Sequence, residues 1–477
     1  MWDKYYIAAT LIDALDLLTS TPDKSKVVAG STDLILEIER GLHRGKTTII
    51  DISRIPGLDT IVRDEKGNIH IGALVTHNQV AASPIIQTYA RCLAEASYQV
   101  GSPQIRNRGT VAGNVITASP ANDTISPLIV LDAELVLVSK QGERRLKVED
   151  FYTGVRHTKL KDSEICVEII IPSQTSGSFS TFYKYALRNA QAISLVNAAV
   201  SVEMHENRIN QVRIAVGAVA PTVVRLKNME SAITGKKLSD MQSFDFIVAT
   251  KEISPISDIR SSDQFRSEMV QVIVKRCFDT LAHTDGINRV PPLINPITLT
   301  GANQSTLPPI TNTYLVDKKE PIMTRINGKE YIFQNAYQKS LLDLVRDDAG
   351  LIGSKEGCAE GECGACTMYL DGKAVMSCLV PAPRAHLAEI TTIEGIAAGE
   401  NLHPVQEAFI TEGAVQCGYC TPGFIMSAVK LLEERQNPTE SEIKEAITGN
   451  LCRCTGYYKI IRAIEKAASN GGSNGQT

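Results

Sequence analysis

The eleven cysteines of this 477-residue chain are spread unevenly: Cys92, Cys166 and Cys277 lie far apart in the first 290 residues, and all the others crowd between Cys358 and Cys454. Such a crowd restricts what the last third can fold into, because loops carrying so many thiols are organised either by disulfides or by metal. The compartment decides between them. No run of residues approaches the length of a membrane span, and the start, MWDKYYIAATLIDALDLL, lacks the basic end, apolar run and small-residue cleavage site of a secretory leader. The expected location is cytoplasmic, a reducing setting in which crowded cysteines serve metals far more often than disulfides.

The first group reads GCAEGECGACTMYLDGKAVMSC and places thiols at Cys358, Cys363, Cys366 and Cys378, a C-x4-C-x2-C opening with a fourth cysteine farther on. That opening is the spacing of plant-type [2Fe–2S] sites. Three ligands on one short loop must curl round a cluster, so the backbone needs freedom from Cβ clashes, which Gly357, Gly361 and Gly364 supply. The same curl frees N–H groups to donate to sulfur and offset thiolate charge. Structural zinc is the alternative, but it usually draws paired short spacings from two knuckles.

The second group, QCGYCTPG and NLCRCTG, brings Cys417, Cys420, Cys452 and Cys454. A C-x2-C alone can be redox-active, zinc-binding or incidental. The C-x-C is rarer, since two adjacent outward ligands need a non-helical bend. Both pairs sit at predicted helix boundaries, so antiparallel packing of those helices would bring them together. Taken alone, this quartet leaves zinc open. Cys166 in a strand pattern, Cys277 in an amphipathic helix and Cys92 read as core thiols.

The length suggests about three domains. Hydrophobic residues make up 43%, charged residues 21%, and the net charge is −4, so nothing points to a nucleic-acid or membrane partner. Residues 291–321, with prolines at 291, 292, 296, 308, 309 and 321 among many Asn, Thr and Ser, predict an extended, solvated linker. NGGSNGQT (470–477) predicts a disordered tail. Before the linker, strands are predicted at 47–53, 68–75, 133–139, 164–172, 198–205 and 211–219, and helices at 9–20 and 267–282. After it come the strands IMTRING and KEYIFQ and the helical SLLDLVRDD. From about 403 four short helices fit, with Thr421–Pro422 as one start, Thr439 and Glu442 as a capping box and Gly449 as a helix end.

Both cysteine groups, in this order, resemble the iron–sulfur subunit of the molybdenum hydroxylases (xanthine dehydrogenase, aldehyde oxidase and relatives). The resemblance runs over about 322–468 and includes LLDLVRDDAGLIGSKEGCAEGECGACTMYLDGKAVMSC, AVQCGYCTPG and NLCRCTGY. The first 290 residues resemble the same family's FAD subunit: VVAGSTDLIL (27–36) looks like its first flavin loop and SPQIRNRGTVAGNVITASPANDTISPLIVLDAELVL (102–137) like its second. The implied fold is α+β and multidomain. An FAD-binding region of the vanillyl-alcohol-oxidase (PCMH-like) kind would occupy 1–175 in two lobes, about 1–55 and 56–175. A flavoprotein C-terminal α+β domain (176–290), the linker (291–321), a β-grasp plant-type ferredoxin domain (322–395), an all-α four-helix [2Fe–2S] bundle (396–468) and the tail (469–477) would follow.

Read from the residues, Gly30, Ser31 and Thr32 form a small-residue turn after a β-run, a backbone nest able to bind diphosphate oxygens. RGTVAGN offers a second turn with Thr110 and Asn114 as donors. There is no GxGxxG, so this is not a Rossmann site, and either loop alone is more simply an ordinary tight turn. The resemblance implies that Val27, Val28, Ala29, Gly30, Ser31, Thr32, Asp33 and Leu34 wrap the FAD diphosphate. It further implies that Thr110, Asn114 and Thr117 hydrogen-bond the cofactor beside Gly113, that Asp123 sits by its polar groups, and that Val167 and Lys184 match further flavin contacts. Lys184 alone would be a solvated strand-end charge. Ala112–Gly113 stands where many relatives have two glycines before Asn114. Gln416 occupies the position that touches the pterin in relatives; alone it is a surface polar residue.

The family's molybdopterin domain is large, and nothing in this sequence supplies it. The resemblance therefore implies a separate molybdopterin-binding subunit within a hetero-oligomer. Electrons from hydroxylation at that partner's molybdenum would reach the Cys417/420/452/454 cluster, then the Cys358/363/366/378 cluster, then FAD, which would reduce NAD. Purine or xanthine chemistry is preferred. A subunit of an aldehyde, nicotinate or carbon monoxide dehydrogenase, a stand-alone flavin and iron–sulfur reductase, and a zinc-stabilised interaction module are the alternatives.

Overall fold

The computed structural model describes residues 2–175, 177–283, 294–301, 310–397, 399 and 401–471. The tail expected at 470–477 lies almost wholly outside them. The chain divides into two compact units: Met1–Pro56, Gly101–Gly109 and Ile297–Thr477 form one, and Gly57–Val100 with Thr110–Pro296 forms the other.

The first unit opens with strands Lys4–Ile7, Ser25–Val28 and Thr48–Asp51, which pair in parallel through the last of them. Thr10 caps the helix Leu11–Ser20 through a reciprocal box with Asp13. Tyr314–Val316, from the proline-rich stretch, adds an antiparallel edge strand to this sheet. A second sheet runs in the order Lys329–Phe333, Ile322–Ile326, Glu389–Thr391, Thr367–Leu370, Lys373–Met376. The two sheets share one apolar core, in which Trp2, Tyr5 and Ile7 bury with Leu341, Leu344, Cys366, Cys378 and Leu379.

Four helices complete this unit: Pro404–Thr411, Thr421–Glu434, Glu440–Ala446 and Tyr458–Gly471. The expected box between Thr439 and Glu442 starts the third. Ile460, Ala463, Ile464 and Ala467 recur at helical spacing on the last and are buried with Phe409, Phe424 and Ile443. Gly449 does not end a helix, since Glu440–Ala446 stops before it. It is small because a Cβ there would lie 2.3 Å from the Gln104 Oε1.

The proline-rich stretch is extended, as expected, but its described parts are not solvated. Ile297, Leu299 and Val316 are fully buried. Glu434 accepts from the amides of Thr298, Thr300 and Gly301, and Glu445 from that of Ile297. Apolar residues between the prolines outweigh their loop-like composition.

The second unit holds an antiparallel sheet in the order Ile61–Arg63, Ile69–Gly72, Ile165–Ile171, Glu134–Ser139, Gly142–Lys147. Short helices Arg91–Tyr98, Val111–Thr117 and Ile125–Val130 supply apolar side chains to its core. A four-stranded meander, Ser178–Tyr185, Val196–His205, Arg208–Gly217 and Val224–Arg225, packs on the helix Asp263–His283. Val270, Val274, Cys277, Phe278 and Leu281 form that helix's buried stripe. Cys92, Cys166 and Cys277 are all buried, and burial pushes the Cys92 and Cys166 thiols up to about 12, which suits inert core residues.

Candidate functional site: two thiol quartets and two glycine-containing turns

In the first quartet Cys366 and Cys378 lie in the core with their Sγ atoms 3.5 Å apart, while Cys358 and Cys363 form the half-buried pair. In the second, Cys454 Sγ is 3.6 Å from Cys417 Sγ, and Cys420 neighbours Cys452. Two thiolates on one tetrahedral metal, with metal–sulfur bonds near 2.3 Å, stand about 3.8 Å apart. The Cys366–Cys378 and Cys417–Cys454 pairs are therefore spaced to grip one ion each. Among the described residues no three His, Cys, Asp or Glu groups converge on a single ion. Two pairs of thiols per quartet suit a cluster of two irons.

The backbone prepares these sulfurs for negative charge. Glu360 N and Glu362 N donate to Cys358 Sγ at 3.3 and 3.2 Å. The Cys363 thiol and these amides pull Cys358 down to about 5 and leave Cys363 raised. Cys378 likewise lowers Cys366. Around Cys452 burial opposes the thiolate, but the Thr455 hydroxyl and amide, at 3.1 and 3.4 Å, overcome it. Gly361 and Gly364 take positive φ of 75° and 68°, the freedom the loop was expected to need. Gly357 does not; its missing Cβ makes room for Cys363 Sγ, which would stand 2.7 Å away.

The two quartets face a common seam. Leu451 N donates to Cys363 O at 2.9 Å, Asn450 Nδ2 to Gly364 O at 3.2 Å, and the Tyr419 hydroxyl to Glu356 O. A Cβ on Gly423 would lie 2.2 Å from Gly364 O, and one on Gly364 would lie 2.2 Å from Gly449 O. Only backbone fits there. Gln416, Cys417 and Cys454 are exposed, among exposed Val415, Tyr419, Leu451 and Tyr458.

The first flavin-type turn belongs to the same unit. It leaves the strand Ser25–Val28 and enters the helix Leu34–Glu39, so Val27 and Val28 are strand residues and Leu34 is helical. A Cβ on Gly30 would stand 2.2 Å from Arg108 O, and Arg108 Nη2 donates to Ala29 O at 3.3 Å. Ser31 is buried in a left-handed conformation (φ 67°), and its hydroxyl donates to Leu379 O at 2.5 Å. Ser31 is left-handed and Asp33 right-handed, so the backbone changes hand within this turn.

The second turn lies in the other unit. Thr110 caps the helix Val111–Thr117 by accepting from Gly113 N at 2.9 Å. Thr117 donates to Gly113 O. Thr124 donates to Asn114 Oδ1 at 2.6 Å, so that the Asn114 amide has donors left to offer. Asp123 and Lys184 are both buried and paired at 2.6 Å; Ser194 also donates to Asp123, and Lys184 to Gln99 O. Lys184 is thus no solvated strand-end charge. Val167 sits at a bulge of the strand Ile165–Ile171, where its carbonyl accepts from Ala73 N.

Comparison with known proteins follows the same division. Residues 2–174 match the family described as FAD binding domain in molybdopterin dehydrogenase, and residues 181–281 the CO dehydrogenase flavoprotein C-terminal domain. Residues 324–389 match the 2Fe-2S iron-sulfur cluster binding domain, and residues 392–465 the [2Fe-2S] binding domain. The xanthine dehydrogenase FAD-binding subunit of Escherichia coli O157:H7 is 30% identical over 275 residues, 57% of this chain and 93% of that protein. The nicotinate dehydrogenase small FeS subunit of Eubacterium barkeri is 47% identical over 149 residues, 31% of this chain and 95% of that protein. Among solved structures, a carbon monoxide dehydrogenase of Hydrogenophaga pseudoflava that lacks the Mo-pyranopterin moiety of its cofactor is similar with a TM-score of 0.54. It is 28% identical, and the match covers 58% of this chain and 96% of that one.

The chain belongs to the molybdenum hydroxylase family.

It is an oxidoreductase subunit of that family in which FAD-binding and [2Fe–2S] domains are fused in one polypeptide. The donor chemistry of the thiol quartets fits the clusters. Among the described residues of this molybdenum hydroxylase subunit, no helix is long and apolar enough to cross a membrane. Several residues at the sites gave no sequence signal: Thr455, Asn450, Ser427 and Gln104. Thr455 and Asn450 flank motif cysteines, where an Asn or Thr reads as a plain cap, and Ser427 lies inside the helix Thr421–Glu434, where a serine carries no signal. Gln104 lay inside a stretch read wholly as flavin loop.

Proposed function

We propose that this chain is the electron-transfer subunit of a molybdenum-dependent dehydrogenase of the xanthine or purine type, taking electrons from a molybdopterin-binding partner chain and delivering them to NAD. The observation that carries the reading is the spacing of both thiol quartets, two pairs each, in one compact unit with the Gly30–Ser31 turn. When bound, the clusters supply one-electron carriage and FAD the conversion of single electrons into a hydride pair.

The chain's own residues hold and tune. Cys358, Cys363, Cys366 and Cys378 would ligate one cluster, and Cys417, Cys420, Cys452 and Cys454 the other. The amides of Glu360 and Glu362 and the Thr455 hydroxyl offset thiolate charge. Residues 27–34 would wrap the FAD diphosphate, with Thr110, Gly113, Asn114, Thr117, Asp123, Val167 and Lys184 as the second set of contacts. The exposed face of Gln416, Cys417 and Cys454, bordered by Val415, Tyr419, Leu451 and Tyr458, is suited to a partner's pterin site.

Purification with the native partner tests this. The expected preparation contains molybdenum, one flavin per chain, four irons with acid-labile sulfide, and NAD-linked oxidation of purines. Zinc without sulfide would replace the reading by an interaction module, and NADH-dependent reductase activity with no molybdenum chain would replace it by a stand-alone reductase. Nicotinate is the second substrate reading, favoured by the 47% identity to a nicotinate dehydrogenase FeS subunit.

A further inference from the structure

Gln104 is completely buried at the junction of stretches far apart in sequence. Its Nε2 donates to Ser427 Oγ at 3.0 Å and to Asn450 Oδ1 at 3.2 Å. Ser427 Oγ donates to the same Asn450 oxygen at 2.7 Å, and Asn450 Nδ2 donates to Gly364 O at 3.2 Å. One buried chain of hydrogen bonds therefore joins residues 101–109, the helix after Cys420, the turn before Cys452 and the loop between Cys363 and Cys366.

Beside it, Tyr369 and Ala374 of the second sheet are buried in one apolar cluster with Phe424, Ile425 and Met426. At the network itself a Cβ on Gly364, Gly423 or Gly449 would lie within 2.3 Å of a neighbouring atom, so a bulkier residue at any of them would force the seam apart. A buried network of this kind has few alternative arrangements, because every unmade bond leaves a desolvated polar group. Its geometry fixes that of the seam. The Leu451 amide, which donates to Cys363 O, lies one residue beyond Asn450 and one before Cys452.

We propose that Gln104 is a positioning residue for electron transfer, an amide latch that holds the Cys363–Gly364 and Asn450–Cys452 peptide frames, and with them the two cluster sites, at one separation. The proposal rests on reading both quartets as [2Fe–2S] ligands. It gives residues 102–109, the opening of the stretch (102–137) that resembles the family's second flavin loop, a task in the iron–sulfur unit.

The test uses the full chain carrying both clusters. Gln104→Met keeps the volume and removes the N–H groups. After reduction, the low-temperature EPR spectrum of the native chain should show two [2Fe–2S] signals split by their mutual magnetic interaction. Gln104→Met should keep both at full spin, weaken or smear the splitting, and speed hydrogen exchange at the Leu451 amide at least tenfold. Unchanged splitting and exchange would overturn the latch. Should Gln104→Met lose a cluster, Ser427→Ala, which removes one arm of the same network, is read in the same two ways. Failure of the ligand reading looks different: the native chain then lacks two iron–sulfur signals, while exchange at Leu451 still reports on the latch.

Discussion

Leu451 donates its amide hydrogen to the carbonyl of Cys363 at 2.9 Å, which joins the peptide preceding Cys452 to a thiol-bearing residue of the other quartet. The two cysteine groups, which span positions 358 to 454, are therefore one structural unit and respond to damage together or separately according to where the damage falls.

Cys454 is exposed, whereas Cys366 and Cys378 are core residues. Cys454→Ser should abolish one EPR signal of the reduced chain and leave the other, with little change in melting temperature. Cys366→Ser should remove the other signal and also destabilise the fold, because a hydroxyl would replace a thiol in the shared apolar core. Loss of neither signal in Cys454→Ser would refute that ligand assignment.

Gly423→Ala places a methyl group 2.2 Å from the Gly364 carbonyl oxygen, a contact that only displacement of the backbone can relieve. A loss of about 1–3 kcal/mol is expected, the usual cost of overpacking. Chemical denaturation monitored by visible absorption, which follows the cysteine-bound chromophores, measures it.

Asn114→Ala removes the donors left after Thr124 engages Asn114 Oδ1. Flavin retention should weaken at least tenfold, about 1.4 kcal/mol, with the far-UV circular dichroism unchanged. Full flavin content after extensive dialysis would count against the second turn as a cofactor contact.

Asp123 and Lys184 form a buried pair, so removing one partner strands the other. Asp123→Ala should cost about 3–5 kcal/mol. The double variant Asp123→Leu with Lys184→Met should recover a large part of this in thermal melts, because it leaves no unpaired charge.

His386 is stacked on Tyr314 with ring centroids 3.8 Å apart, and its Nδ1 accepts from Met323 N. Burial, and then the Arg54 charge, hold it at about 4, below its ordinary 6.5. The unfolded chain thus binds a proton that the folded chain refuses. Stability from this group is full above about 6.5 and falls as the pH drops from there to about 4. His386→Gln should flatten the melting temperature across that window.

The periodic parts of the fold were legible. Strands such as Glu134–Ser139 and Ile165–Ile171, the four C-terminal helices and the Thr439–Glu442 box follow local rules of period and capping. So did the need for left-handed glycines at Gly361 and Gly364. The illegible parts depend on partners distant in sequence. Nothing local tells that Gln104 meets Asn450, that Ser31 meets Leu379, or that Lys184 lies on Asp123. Proline and threonine around Ile297 and Leu299 read as a loop because composition reports the backbone, not the Glu434 and Glu445 carboxylates that receive it. The short helices between 77 and 130 escaped for a similar reason: none is longer than eight residues, too few for a period to show.

The strand Tyr314–Val316 lies beside Lys4–Ile7, and Trp2 and Tyr5 pack in the same core as Cys366 and Cys378. A protease nick or engineered split upstream of residue 322 would not liberate a free-standing small redox protein. The liberated piece would carry a bare greasy flank where the opening residues had rested, and its metal loop would be built on half a foundation. Covalent fusion in this polypeptide has thus become interdependence, with residues 2–7 and the last third each completing the other's core.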